Sequence, residues 1–97
     1  MDEFRKLILS RDGDYIEFND HWIRYKDLKY PTHQVAFYPT SDTHVPGILG
    51  QAYILMDLKG DVISKIHVNS NNYREIRSLT ETIRKGRGTV AEERPLR

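Results

Sequence analysis

The chain has 97 residues, of which 38% are hydrophobic and 30% charged, with a formal net charge of +1 and no cysteine. That length allows one domain and one core. The absence of cysteine excludes disulfides, a thiolate nucleophile and thiolate-bound metal, and the near-neutral mixed charge is that of a globular surface, not of a non-specific polyanion binder.

The start, Met1-Asp2-Glu3-Phe4, is acidic and carries no apolar run of leader type. No stretch approaches the roughly 18–20 apolar residues of a membrane span. A cytoplasmic protein without membrane partners is expected. Phe4, Leu7 and Ile8 fall at i, i+3 and i+4 and predict a short N-terminal helix. The alternative is an extended Leu7-Ile8-Leu9, returned through the turn Arg11-Asp12-Gly13-Asp14. Residues 14–19 alternate, with Ile16 and Phe18 on one face and Tyr15 and Glu17 on the other. After Asn19-Asp20, residues 22–28 alternate again, with Ile23 and Tyr25 opposite Trp22, Arg24 and Lys26. An antiparallel hairpin is expected.

Tyr30-Pro31 ends that strand, because proline brings no ladder donor. Residues 34–38 predict the next strand, stopped by Pro39, and residues 39–50 a long loop. Residues 51–58 predict a strand with Ala52, Ile54, Met56 and Leu58 on one face, turned by Lys59-Gly60 into residues 61–68, where Val62, Ile66 and Val68 share a face. Asn72-x-x-Glu75 has the form of a capping box. Tyr73, Ile76, Leu79 and Ile83 then make one apolar stripe of a helix over 73–85, closed by Arg84, Lys85 and a C-cap at Gly86. The expected fold class is α+β. It comprises an antiparallel sheet or partly open barrel of five to seven strands, with the C-terminal amphipathic helix packed on it. Residues 1–86 form the domain and residues 87–97 a mobile basic tail.

The four histidines, His21, His33, His44 and His67, show no metal-ligand spacing. Ser41, Asp42 and His44 have the residue types of a hydrolytic triad. They crowd into four residues, without the separately held backbone or nucleophile elbow such a triad needs. Gly47 and Gly50 match no phosphate-binding loop. No catalytic residue, metal or cofactor is expected. Surface aromatics are plentiful instead. Tyr15, Trp22 and Tyr53, with Arg24, are of the types enriched at contact hot spots. Val45, Ile48 and Leu49, with His44, tip the long loop. These eight residues are the candidate partner-binding set. A basic patch of Arg74, Arg77, Arg84, Lys85 and Arg87 is the second candidate, since residues 84–97 hold five basic and two acidic side chains.

The order of these elements, residues 15–19, 22–28 with Lys29-Tyr30, 34–38, 51–58, 61–68 and the helix at 73–85, resembles the pleckstrin-homology superfold in its small bacterial variants. The resemblance implies seven strands, against five legible here. Lipid-binding members carry a basic first hairpin loop; the loop here is Asn19-Asp20-His21, which is acidic, so the implied role is protein interaction. The expected function is a non-enzymatic protein-binding module, a small adaptor or inhibitor of phage-encoded or immunity type. The alternative is a nucleic-acid-binding or regulatory protein acting through the basic helix end and tail. An uncovered sheet edge also allows a homodimer.

Overall fold

The structure, a computed structural model, describes residues 3–41 and 51–91. Four strands form an antiparallel meander in chain order: β1 (Arg5–Ile8), β2 (Tyr15–Phe18), β3 (Trp22–Tyr25) and β4 (Leu28–Pro31). A 3₁₀ turn, Thr32–Gln34, leads to β5 (Val35–Ser41), β6 (Gln51–Asp57) and β7 (Val62–His67). Helix α1 (Tyr73–Lys85) follows. A two-residue strand β8 (Thr89–Val90) then pairs in parallel with β5, so the second sheet runs β7-β6-β5-β8. The class is α+β, as expected, but the described residues form eight strands in two four-stranded sheets, one of them mixed, in place of the expected single antiparallel sheet or partly open barrel of five to seven strands. Among the described residues no helix is long and apolar enough to cross a membrane.

Alternation sets the first sheet. Ile16, Phe18 and Ile23 are fully buried, while their neighbours Tyr15, Glu17, Trp22 and Arg24 point the other way. The expected N-terminal helix is a strand. β1 pairs with β2 from Arg5↔Phe18 to Ile8↔Tyr15, and Leu9 N–H donates to the Asp14 carbonyl at 2.8 Å across the turn. Four residues are too few to display a period. Leu7 alone is buried and Ile8 is 42% exposed, which is strand behaviour. The strand expected over residues 22–28 is broken in two. Lys26 and Asp27 have φ of 51° and 67° and make a two-residue turn of the kind that matches strand twist.

The second sheet corrects two further expectations. β5 runs through Pro39, which pairs with Tyr53. The Phe37 carbonyl accepts the Ala91 N–H at 3.0 Å, so the main-chain polar groups of Phe37, and of Pro39 two residues on, face away from β6. The missing proline donor is therefore not one that β6 requires. The stripe of Ala52, Ile54 and Met56 does not hold as the core face: Ala52 is fully buried, but Ile54 and Met56 are only half-buried. Leu55 is fully buried, and Tyr53 stacks on Phe37 with ring centroids 4.8 Å apart. Both parities of β6 are apolar, so alternation could not choose between them. A bulge between Leu55 and Met56 sets Leu55 opposite Ser64 and Met56 opposite Val62, leaving Ile63 as the extra residue. Ile63 packs on the core, whereas Val62 is 60% exposed, opposite to its expected placing. Leu58 also lies outside the core.

One cluster joins all three layers: Leu7, Ile16, Phe18 and Ile23 from the first sheet, Val35, Phe37, Leu55 and Ile66 from the second, and Ile76, Leu79 and Ile83 from α1. The helix stripe is as expected except for Tyr73, which is exposed. Each fully buried aliphatic side chain in it contributes about 1.5–3 kcal/mol. The helix touches β1 on one side and β5 and β8 on the other, so it closes the end of the two-sheet stack.

The capping box is not formed. Asn72 precedes α1 but makes no side-chain cap bond. Its side chain is almost wholly buried and braces three segments instead. Its Oδ1 accepts Asn69 N–H at 2.9 Å, and its Nδ2 donates to the carbonyls of His67 at 2.9 Å and Ile8 at 3.4 Å. Gly86 is the C-cap, as expected, but the left-handed residue after it is Arg87, with φ of 68°. Arg87 N–H bonds the Arg84 carbonyl and Gly88 N–H the Ile83 carbonyl, the two bonds of a Schellman close. The glycines flank that position because a Cβ at Gly86 or Gly88 would collide with Thr32. The fold therefore does not end at residue 86. Val90 packs on the core and β8 is held by β5, so residues 87–91 are no loose tail.

Candidate functional site

The outer face of the first sheet is the most distinctive surface among the described residues. Pairing aligns Lys6, Glu17, Arg24 and Lys29 in one row across the four strands. Alternation places Ile8 and Tyr15 beside one flank of that row, and Trp22 and Pro31 beside the other. Each cation sits on a ring. Lys6 Nζ lies 4.4 Å from the Tyr15 centroid, Lys29 Nζ 4.5 Å from that of Trp22, and the Arg24 guanidinium carbon 4.3 Å from that of Phe4. The row's acid is already engaged: Glu17 Oε1 accepts from Arg24 Nη2 at 2.7 Å and from Nε at 3.1 Å. At this exposure the ion pair adds at most about 1 kcal/mol to stability. It removes one negative charge from the face all the same, and leaves Lys6 and Lys29 as net cations.

A cleft of about 590 Å³ opens at the Tyr15 end of the face, where β2 and β3 part. Their ladder comprises only Phe18/Ile23 and Glu17/Arg24. Asp14, Tyr15, Tyr25, Lys26 and Asp27 line the cleft, and Tyr25 OH donates to Asp14 Oδ2 at 2.9 Å across its floor. Asp14, Glu17 and Asp27 are matched there by Arg24, Lys26 and Lys29, so the charges of this cleft balance, with Lys26 Nζ 5.2 Å from the Tyr25 centroid. A second groove, of about 640 Å³, lies between the β2–β3 turn and α1. Its Arg5, Arg77 and Lys85 face Glu3, Asp20 and Glu81, so its charges balance.

The predicted partner-binding set is split. Tyr15, Trp22 and Arg24 share the outer face of the first sheet. Tyr53 does not: it is in the second sheet, half-buried and stacked on Phe37. His44, Val45, Ile48 and Leu49, with Asp42, lie outside the described residues. The predicted basic patch is dispersed. Arg77 and Lys85 line the second groove, Arg84 Nη1 lies 3.8 Å from Glu81 Oε2, Arg87 is in the helix-closing turn, and Arg74 is exposed on the first turn of α1. Sequence reasoning passed over Phe4, Lys6 and Lys29. Their signal was the two-residue spacing of Lys6 with Ile8 and of Lys29 with Pro31, readable only once β1 and β4 are known to be strands. Among the described residues no group of three His, Asp or Glu side chains has metal-binding geometry. No protein-family profile, curated protein or solved structure matches the chain.

Proposed function

We propose that the chain is a non-enzymatic binding module whose contact surface is the outer face of β1–β4. The observation that carries this is the row Lys6, Arg24 and Lys29, each cation laid on the ring of Tyr15, Phe4 or Trp22, on a sheet face with no layer over it among the described residues. A sheet that needed only solvation could carry any polar set here. Cations paired with flat π-faces offer both electrostatic attraction and stacking. The adaptor or inhibitor expected from the sequence is one form of this module, since Trp, Tyr and Arg are the anchors of protein contacts. Seven antiparallel strands followed by a helix support the pleckstrin-homology-like reading of the fold, and β8, which returns after the helix to pair in parallel with β5, is an addition to it. Fold alone would not assign the partner.

The test is retention of a cellular partner by immobilised wild-type protein and by a Lys6→Ala/Lys29→Ala variant. Both lysines are exposed, so the variant keeps its fold, which circular dichroism checks. Loss of the partner with the fold intact supports the face; equal retention by both proteins refutes it.

A further inference from the structure

Resting on that contact face, we propose that its partner is single-stranded nucleic acid, held two or three nucleotides at a time across β1–β4. Size is the first argument. Four strands of four residues span only about 14 Å by 13 Å. A specific protein contact buries about 800 Å² of accessible surface on each partner, so a protein would have to reach beyond the four strands. A four-stranded sheet bearing aromatics is instead the right size to stack two or three bases.

Composition is the second argument. Phe4, Tyr15 and Trp22 supply π-faces, and Lys6, Arg24 and Lys29 lie directly above them. A cation that leaves its ring for a phosphate uncovers that ring for the adjoining base, so the two groups a nucleotide offers are met by one residue pair. Base stacking of this kind is tolerant of sequence. A duplex offers phosphates but hides its π-faces, so single strands are preferred. Glu17 would repel a phosphate were it free, but Arg24 holds it at 2.7 Å. At the helix end, where sequence placed nucleic-acid contact, Arg77 and Lys85 share their groove with Glu3, Asp20 and Glu81.

Trp22 is the chain's one tryptophan and lies on the proposed track, so its fluorescence reports stacking directly. Titration with a short oligothymidylate at about 50 mM salt should quench it saturably, with affinity falling on added salt at a log–log slope of roughly −0.7 per phosphate neutralised. Lys6→Ala/Lys29→Ala should flatten that slope by about 1.4. Trp22→Leu should weaken binding of a fluorescein-labelled oligothymidylate about tenfold. Glu17→Gln should tighten binding several-fold, and Arg77→Ala/Lys85→Ala should leave it unchanged. No quenching at millimolar oligothymidylate, equal quenching by polyglutamate, or loss confined to the helix variant would each overturn the proposal. If the oligonucleotide fails while a cellular protein is still lost with Lys6→Ala/Lys29→Ala, the nucleic-acid proposal falls and the contact face stands. If both fail, both fall.

Discussion

Asn72 separates two physical roles that the sequence cannot tell apart. A capping asparagine is replaceable by aspartate without loss and costs about 1 kcal/mol when replaced by alanine. The observed Asn72 is a brace. Its two amide hydrogens serve the carbonyls of His67 and Ile8, and its oxygen serves Asn69 N–H, tying the end of β7 to the end of β1 just before α1. Asn72→Ala deletes two good bonds and one long one and leaves their partners unsatisfied. At about 1 kcal/mol net per bond, with more for a buried group left bare, the expected loss is about 3 kcal/mol. For a domain of this size that lowers the Tm by roughly 15 °C. Asn72→Asp should be as damaging at neutral pH. It removes both donors and sets a carboxylate against two carbonyl oxygens in a site that is 1% exposed. Burial raises the folded pKa of that new carboxyl above its unfolded value, so the deficit shrinks as pH falls and protonation restores a donor. Thermal melts of the three proteins at two pH values decide the matter. An aspartate variant as stable as wild type at neutral pH would refute the brace and restore the cap.

Three further substitutions test the local backbone. Arg87→Gly removes a left-handed arginine and should stabilise by about 1 kcal/mol in chemical denaturation, while an unchanged midpoint would mean that position carries no strain. Gly88→Ala should destabilise by about 1–3 kcal/mol, because the new methyl meets Ile83 at 2.6 Å and the Thr32 main chain, which cannot swing aside. A Lys26→Asn/Asp27→Gly double variant should raise the Tm, since both positions have positive φ that asparagine and glycine adopt more easily; a lower Tm would show that the lysine contact with Tyr25 outweighs the backbone gain.

Much of the fold was legible because burial in β2, β3 and α1 writes its period into the chain. Ile16, Phe18 and Ile23 alternate with polar neighbours, and Ile76, Leu79 and Ile83 recur at helical spacing. The site was legible only in part. Tyr15, Trp22 and Arg24 follow from the alternation of two strands, but Lys6 and Phe4 belong to a segment whose i, i+3, i+4 pattern is the accident of four residues. Tyr53 was misplaced because every residue from Ala52 to Met56 is apolar, which leaves the inward parity undetermined.

Sequence by itself determined the class of fold, the helix and its buried stripe, and the outward set on β2 and β3, because these depend on interactions within a few residues. Only the tertiary structure decided which face of β6 is core, that Pro39 lies within a strand, that Asn72 braces rather than caps, and that residues beyond Gly86 rejoin the sheet. For three of those the deciding partner lies more than a dozen residues away: Phe37 for Tyr53, Tyr53 for Pro39, and the β5 edge for Val90; Asn72 is held by Asn69 and His67 nearby and, through a longer bond, by distant Ile8. A local pattern carries no record of where such partners will be.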